Sequence, residues 1–165
     1  MPSPFQQLCA ELTAVLTPAL VAAGYRAPGI PFDRHTIRYE FKREGLAGRE
    51  TIAILFNRRR SAAFGVQLFI EPPHGLAELE ERGGALLLGT LSPGRTLWPF
   101  PVRAFGQNRS LLSRLWGSRA AVTPAEAVRA FLALLPEVNA WWCQPASSRH
   151  IVTGTLRYPG RQGKA

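Results

Sequence analysis

Cysteine is scarce in this chain, with only Cys9 and Cys143 among 165 residues. A disulfide scaffold carries more cysteines in a shorter chain, so we expect a fold that needs no disulfide. No run of about 18 apolar residues occurs, so no membrane span is predicted. The first residues also lack the basic cluster that opens a secretory signal. These absences favour a cytoplasmic protein.

Residues that commonly carry chemistry are also few. His35, His74 and His150 lie far apart, and neither Cys-x-x-Cys nor His-x-x-x-His occurs. Asp33 is the only aspartate, and no phosphate-binding glycine loop is present. His150 follows Cys143 in the sequence, but nothing places a base beside that thiol. We predict no metal site, no cofactor and no catalytic residue. An enzyme whose site is assembled by the fold is a distant alternative.

Apolar residues make up 46% of the chain, which is enough to fill a hydrophobic core. The length is that of one domain, and no internal repeat or interdomain linker interrupts it. We expect a single domain over residues 1–158, followed by a flexible tail at 159–165.

The first helical pattern begins near Ser3, which can cap a helix that has Pro4 at its first position. Pro18 lies inside the pattern and should kink the helix, and Gly24 supplies a stop. The apolar side chains share one face at helical spacing: Phe5, Cys9, Leu12, Leu16 and Leu20. We therefore expect this helix to pack on the core, with Cys9 in a structural role.

Alternation of apolar and polar residues predicts three strands, at 35–42, 51–56 and 64–71. His35 falls on the apolar face of the first strand, together with Ile37, Tyr39 and Phe41. Short links between the strands favour an antiparallel meander. Two prolines end the third strand, because neither can donate to a ladder.

The rest of the sequence predicts further elements around the sheet. A short acidic helix is expected over 76–82, a strand over 85–91, a helix from Asn108 and a last strand over 150–158. Thr123 starts a capping box, and Pro136 should kink or break the helix that follows it. The stiff segment 98–101 is either a lid on the core or an anchor for a partner. The predicted fold is α+β: a mainly antiparallel sheet of three to five strands with N-terminal and C-terminal helices packed on it.

Six residues along this predicted order of helices and strands match a pattern known from one protein family: Gly24, Tyr25, Phe32, Arg34, Gly89 and Trp98. In these residues the chain resembles a family of small bacterial proteins classed as a domain of unknown function. The resemblance extends to Trp98 and implies a helix followed by an antiparallel meander. It implies no activity and no functional residue.

The net charge is +9, and all the cations except Lys42 and Lys164 are arginines. Such a surplus suits an acidic protein or a nucleic acid, although a GC-rich genome also enriches arginine. Arg58, Arg59 and Arg60 form a cluster at the tip of a predicted hairpin. Adjacent guanidiniums repel one another and add nothing to the fold. The cluster is therefore either a site for an anionic partner or a solvated loop.

A second candidate surface lies on the sheet face opposite the isoleucines, where Arg38, Lys42 and Phe69 are expected. Basic residues around an aromatic ring on an open sheet suit base stacking and backbone contact. The alternative is that the C-terminal helices cover Phe69, because those helices need an apolar surface of their own.

The sequence therefore favours a non-enzymatic binding module, an adaptor or immunity-type protein, that binds an acidic macromolecular partner. An RNA- or DNA-binding domain is the alternative. The predicted anionic-partner site consists of Arg58, Arg59, Arg60, Arg38, Lys42 and Phe69. The identity of the partner and the oligomeric state are left open.

Overall fold

The structure is a computed structural model that describes residues 1–33, 35–46, 48–57, 61–72, 75–94, 104–106 and 122–158. Five strands form one antiparallel sheet in which each strand pairs with its neighbours in the sequence. They are β1 (Arg38–Gly45), β2 (Gly48–Phe56), β3 (Phe64–Glu71), β4 (Gly84–Leu91) and β5 (Ile151–Tyr158). The α-helices are α1 (Pro4–Glu11), α2 (Thr17–Ala22), α3 (Leu76–Arg82), α4 (Pro124–Leu132) and α5 (Leu135–Cys143). The predicted α+β class is confirmed.

The N-terminal helical segment begins at the predicted cap. Ser3 Oγ accepts a hydrogen bond from the backbone N–H of Gln6 at 3.2 Å, and Gln6 Oε1 accepts one from Ser3 N–H at 2.7 Å. A kink was expected at Pro18, and a π-helical turn, Leu12–Leu16, separates α1 from α2 just before it. Proline has no N–H to close an α-helical hydrogen bond, and a wider turn at this point accommodates that loss.

The first strand begins at Arg38, later than predicted. The Asp33 carboxylate accepts hydrogen bonds from the backbone N–H groups of His35 at 2.7 Å and Thr36 at 2.9 Å. These bonds hold the chain in a turn and take donors that a strand would use. The expected apolar face was therefore wrong at its start, since His35 is exposed and Ile37 is 50% exposed.

One face of the sheet carries the main core. Side chains from β1, β2 and β3 contribute Tyr39, Phe41, Ile52, Ile54, Val66 and Leu68. The N-terminal helical segment covers them with Phe5, Leu8, Leu12, Leu16 and Leu20. The C-terminal helices α4 and α5 cover them with Val128, Phe131, Val138, Trp141 and Trp142. Helices from both ends of the chain thus pack on the same side of the sheet.

The C-terminal helices form where the sequence predicts them. Thr123 Oγ1 accepts a hydrogen bond from the backbone N–H of Glu126 at 3.2 Å, and Glu126 Oε2 accepts one from Thr123 N–H at 2.8 Å. The helical region then breaks between Leu132 and Leu135, and Pro136 lies in the first turn of α5. A missing N–H costs nothing in the first turn, so Pro136 ends one helix and starts the next.

The opposite face of the sheet carries a smaller apolar cluster. Ala53, Phe69 and Leu86 are buried there, and Leu76 and Leu79 of α3 pack against them. Four predictions fall on residues outside the described part of the chain. They are the arginine cluster at 58–60, the segment at 98–101, the helix from Asn108 and the tail at 159–165.

Candidate functional site

Arg38 and Lys42, two of the predicted site residues, lie on the face of β1 that points away from the main core. Lys42 Nζ lies 2.9 Å from Glu40 Oε2 and 2.8 Å from Glu71 Oε1. Arg38 Nε lies 2.7 Å from Glu40 Oε1. The structure therefore brings the two predicted cations together, but each is ion-paired with carboxylates of the same sheet.

The same row of charges continues through Arg49, which contacts Glu71 at 3.4 Å and Glu44 at 3.0 Å. Burial works to raise the pKa of Glu40, but hydrogen bonds and charge from its cationic neighbours outweigh burial and hold that pKa below its ordinary value. Burial works to lower the pKa of Lys42, and the two carboxylates beside it hold that pKa above its ordinary value. This charged row alternates three cations with three carboxylates, so its formal charges cancel.

Phe69, the third predicted residue on this face, is only 1% exposed. The Arg38 guanidinium carbon lies 5.1 Å from the centroid of the Phe69 ring, in a cation–π contact. Residues of α3 and β4 pack against the ring as well. The ring therefore offers no free surface on which a base could stack. The helix that covers it is α3, whereas the sequence pointed to the C-terminal helices.

A shallow depression of about 430 Å³ opens at the outer edge of β1. Its lining comes from a short loop and from the edge strand: Pro28, Gly29, Ile30, Arg38, Tyr39, Glu40 and Lys42. Small-molecule sites usually bury most of their ligand. A depression this open would contact a small ligand on one side only.

A polar cluster that the sequence did not reveal joins the end of α2 to β1, β2 and α5. Trp142 Nε1 donates a hydrogen bond to Tyr25 Oη at 2.8 Å, and the Arg43 guanidinium carbon lies 4.5 Å from the Tyr25 ring centroid. Arg43 also contacts Glu50 at 2.5 Å and donates to Asn139 Oδ1 at 2.9 Å. Burial raises the pKa of Tyr25 to about 12, against the lowering effect of Arg43. These groups bond to one another and fix the helix end on the sheet.

A second polar cluster lies where α5 leads into β5. Glu137 Oε2 lies 2.7 Å from His150 Nδ1, and Ser148 Oγ donates to Glu137 Oε1. Burial works to raise the pKa of Glu137, but hydrogen bonds from Ser148 and His150 hold that pKa below its ordinary value. In a hydrolytic triad the histidine lies between the hydroxyl and the carboxylate. Here the carboxylate lies between them, so His150 does not activate Ser148.

The cysteines occupy different environments. Cys9 is partly buried against the main core, and Cys143 is exposed. Within the described ranges, no three His, Cys, Asp or Glu side chains form a group that could hold a metal ion.

The segment Pro4–Ala22 is long and apolar enough to cross a membrane, judged by length and composition alone, although no span was predicted. In the fold its leucines at positions 8, 12, 16 and 20 are fully buried in the main core. Packing against the core of the domain therefore explains why one face of this segment is apolar.

No family model, curated protein or solved structure matches the chain. The resemblance that includes Gly24 and Gly89 stays a prediction.

Proposed function

We propose that the chain is a non-enzymatic binding module for an acidic protein partner. The observation that carries the proposal is the charge surplus of the chain, which has 20 lysine and arginine residues, only 11 carboxylates and a net charge of +9. Arg58, Arg59 and Arg60 are consecutive in the sequence, and no carboxylate lies between Glu50 and Glu71.

The cations of the charged row do not contribute to this surplus. In the sheet, Arg38, Lys42 and Arg49 are balanced by carboxylates of the charged row. The surplus has no internal counter-charge, because 20 cations meet only 11 carboxylates in the whole chain. A surplus of this kind attracts an anionic macromolecule.

A nucleic acid would supply the same negative charge. The sequence indicated a nucleic acid because an aromatic ring was expected on an open face of the sheet. That ring belongs to Phe69, which is buried. An acidic protein needs no stacking surface, so it fits the described surface better. Binding rather than catalysis is supported by the two polar clusters, whose groups bond to one another across elements.

The test is a titration of labelled poly-glutamate, duplex DNA and single-stranded RNA at low and at physiological salt. Replacing Arg58, Arg59 and Arg60 with alanine lowers the net charge from +9 to +6. We expect weaker binding of poly-glutamate and a shallower salt dependence. Because the sequence predicts these residues in an exposed turn, folding stability should change by less than about 0.5 kcal/mol.

Replacing the same three residues with lysine keeps the charge and is the matched control, which should bind poly-glutamate nearly as the original chain does. If the original chain binds no polyanion even at low salt, the proposal fails. Tighter binding of a nucleic acid than of poly-glutamate would favour the nucleic-acid alternative.

A further inference from the structure

Strand β5 lies at the edge of the sheet. All eight of its residues pair with β4 on one side, and no described strand lies on the other side. Thr153 N–H donates outward to Ser147 Oγ at 3.0 Å, and Ile151 C=O accepts from Ser148 N–H at 2.8 Å. Alternate residues of an antiparallel strand direct their backbone groups to the same side. The outward groups of β5 therefore belong to residues 151, 153, 155 and 157.

The loop before β5 covers only the first half of this edge. Beyond Thr153 N–H, the outward groups are the carbonyl of Thr153 and the N–H and C=O groups of Thr155 and Arg157. Among the residues that the structure describes, none of these groups has a hydrogen-bond partner. A row of this kind is a template for another strand.

The side chains beside this free edge are apolar on one face. Val152 is 39% exposed and Leu156 is 45% exposed, on the face that carries α3. Between them lies Gly154, and no atom of the described residues is within 4 Å of the position that a Cβ would take there. An incoming strand therefore meets an apolar strip with space above its centre.

The charge near this edge favours an acidic segment as the strand that binds there. No carboxylate side chain follows Glu137 in the sequence, and Arg157 is exposed at the free end of the edge. A second copy of β5 would bring another arginine and no carboxylate. An acidic segment would complement the edge.

The other edge of the sheet is protected. Arg26 exchanges backbone hydrogen bonds with Lys42 on the outer side of β1, and charges of both signs alternate along that strand. Natural sheets use covered edges and charged edge strands to prevent strand addition. Among the described residues the two edges therefore differ, and the β5 edge is the one with backbone groups left unpaired.

We propose that an extended segment of the acidic partner adds to the sheet as a strand along residues 153–157. Its backbone bonds to the free groups of β5, its apolar side chains lie beside Val152 and Leu156, and its carboxylates lie near Arg157. This inference rests on the proposed function and names the form in which the partner binds.

The probe is a fluorescent peptide of alternating valine and glutamate. A peptide of alternating glycine and glutamate has the same charge but a weak strand preference, so it is the matched reference. The original chain should bind the valine peptide more tightly. Thr155→Pro removes an outward N–H without removing a bond to β4, and edge strands tolerate proline in such positions. Affinity for the valine peptide should fall about tenfold, as expected for the loss of one or two backbone bonds.

Thr155→Val keeps the N–H and should bind as the original chain does. Amide hydrogen exchange gives a second readout, because the N–H groups of Thr155 and Arg157 should be protected only when the valine peptide is bound. If Thr155→Pro fails to fold, Arg157→Glu is used in its place. This variant should bind the valine–glutamate peptide more weakly than the original chain does, and it should bind a peptide of alternating valine and lysine more tightly.

Three results would overturn the inference. In the first, the valine peptide binds without protecting the two amides. In the second, the edge variants bind as the original chain does while Arg58, Arg59 and Arg60 still govern poly-glutamate binding, which leaves the proposed function intact. In the third, the free protein is a dimer in which the two amides are already protected, so a second copy occupies the edge. Binding of no acidic probe at all defeats the proposed function itself.

Discussion

Two threonine hydroxyls in the sheet have opposite surroundings. Thr51 Oγ1 in β2 is fully buried and has no hydrogen-bond partner in the described part of the chain. Thr153 Oγ1 in β5 accepts a hydrogen bond from Trp141 Nε1 at 3.0 Å. A buried hydroxyl without a partner costs roughly 1–3 kcal/mol, whereas a made hydrogen bond contributes about 1 kcal/mol. The two residues should therefore respond in opposite ways to the same substitution.

Valine has nearly the shape of threonine and lacks the hydroxyl. Thr51→Val should raise the free energy of unfolding by about 1 kcal/mol, because a buried unpaired oxygen is removed. Thr153→Val should lower it by about 1 kcal/mol, because Trp141 loses its acceptor. Urea unfolding followed by tryptophan fluorescence measures both. A destabilised Thr51→Val variant would show that this hydroxyl has a partner.

At the level of elements, Gly89 sets how closely α5 approaches β4. A Cβ at this position would lie 3.1 Å from the Trp141 ring and 3.2 Å from Ile151 Cγ2. At Gly154, in the neighbouring strand, no atom of the described residues lies within 4 Å of the Cβ position. A side chain is therefore excluded at Gly89, whereas Gly154 has room for one.

Gly89→Ala should lower the free energy of unfolding by roughly 1–3 kcal/mol, the usual cost of overpacking. Gly154→Ala should raise it by about 0.5 kcal/mol, since alanine in a strand loses less backbone freedom on folding. Thermal unfolding compares the two. Equal effects would show that α5 can move away from the sheet without cost.

Local signals in the sequence predicted most elements, because capping and strand alternation act within a few residues. The caps at Ser3 and Thr123 and the bounds of β3 were correct. The first strand was wrong at its start because the Asp33 side chain competes for backbone donors. The site was less predictable. Lys42 meets Glu71 across 29 positions of sequence, and no pattern within β1 reveals that ion pair.

Across the whole molecule, carboxylates stabilise a chain that is otherwise rich in cations. The pKa values of Asp33, Glu40, Glu126 and Glu137 are each held below their ordinary values by hydrogen bonds or nearby cations. Groups of this kind add stability above their ordinary pKa and lose it as the pH falls through the lowered value in the fold. Protonation of the carboxylates also leaves the cations to repel one another.

The free energy of unfolding should therefore fall as the pH drops below the ordinary glutamate pKa of 4.5. Urea unfolding in steps from neutral into acidic pH measures this. Glu40→Gln is the matched variant and should show a weaker dependence on pH, because one of the shifted carboxyls is gone. A stability that is constant across the acid range would contradict the prediction.

The π-helical turn at Leu12–Leu16 has a consequence for helical phase. An α-helix turns 100° per residue, so side chains spaced four apart drift by about 40° at each step. Leu8, Leu12, Leu16 and Leu20 keep this spacing, yet all four are fully buried on one side. A π turn uses more residues per revolution and rotates the chain backwards relative to that drift. A straight α-helix would carry Leu20 about 120° away from Leu8, and one end of the row would face solvent.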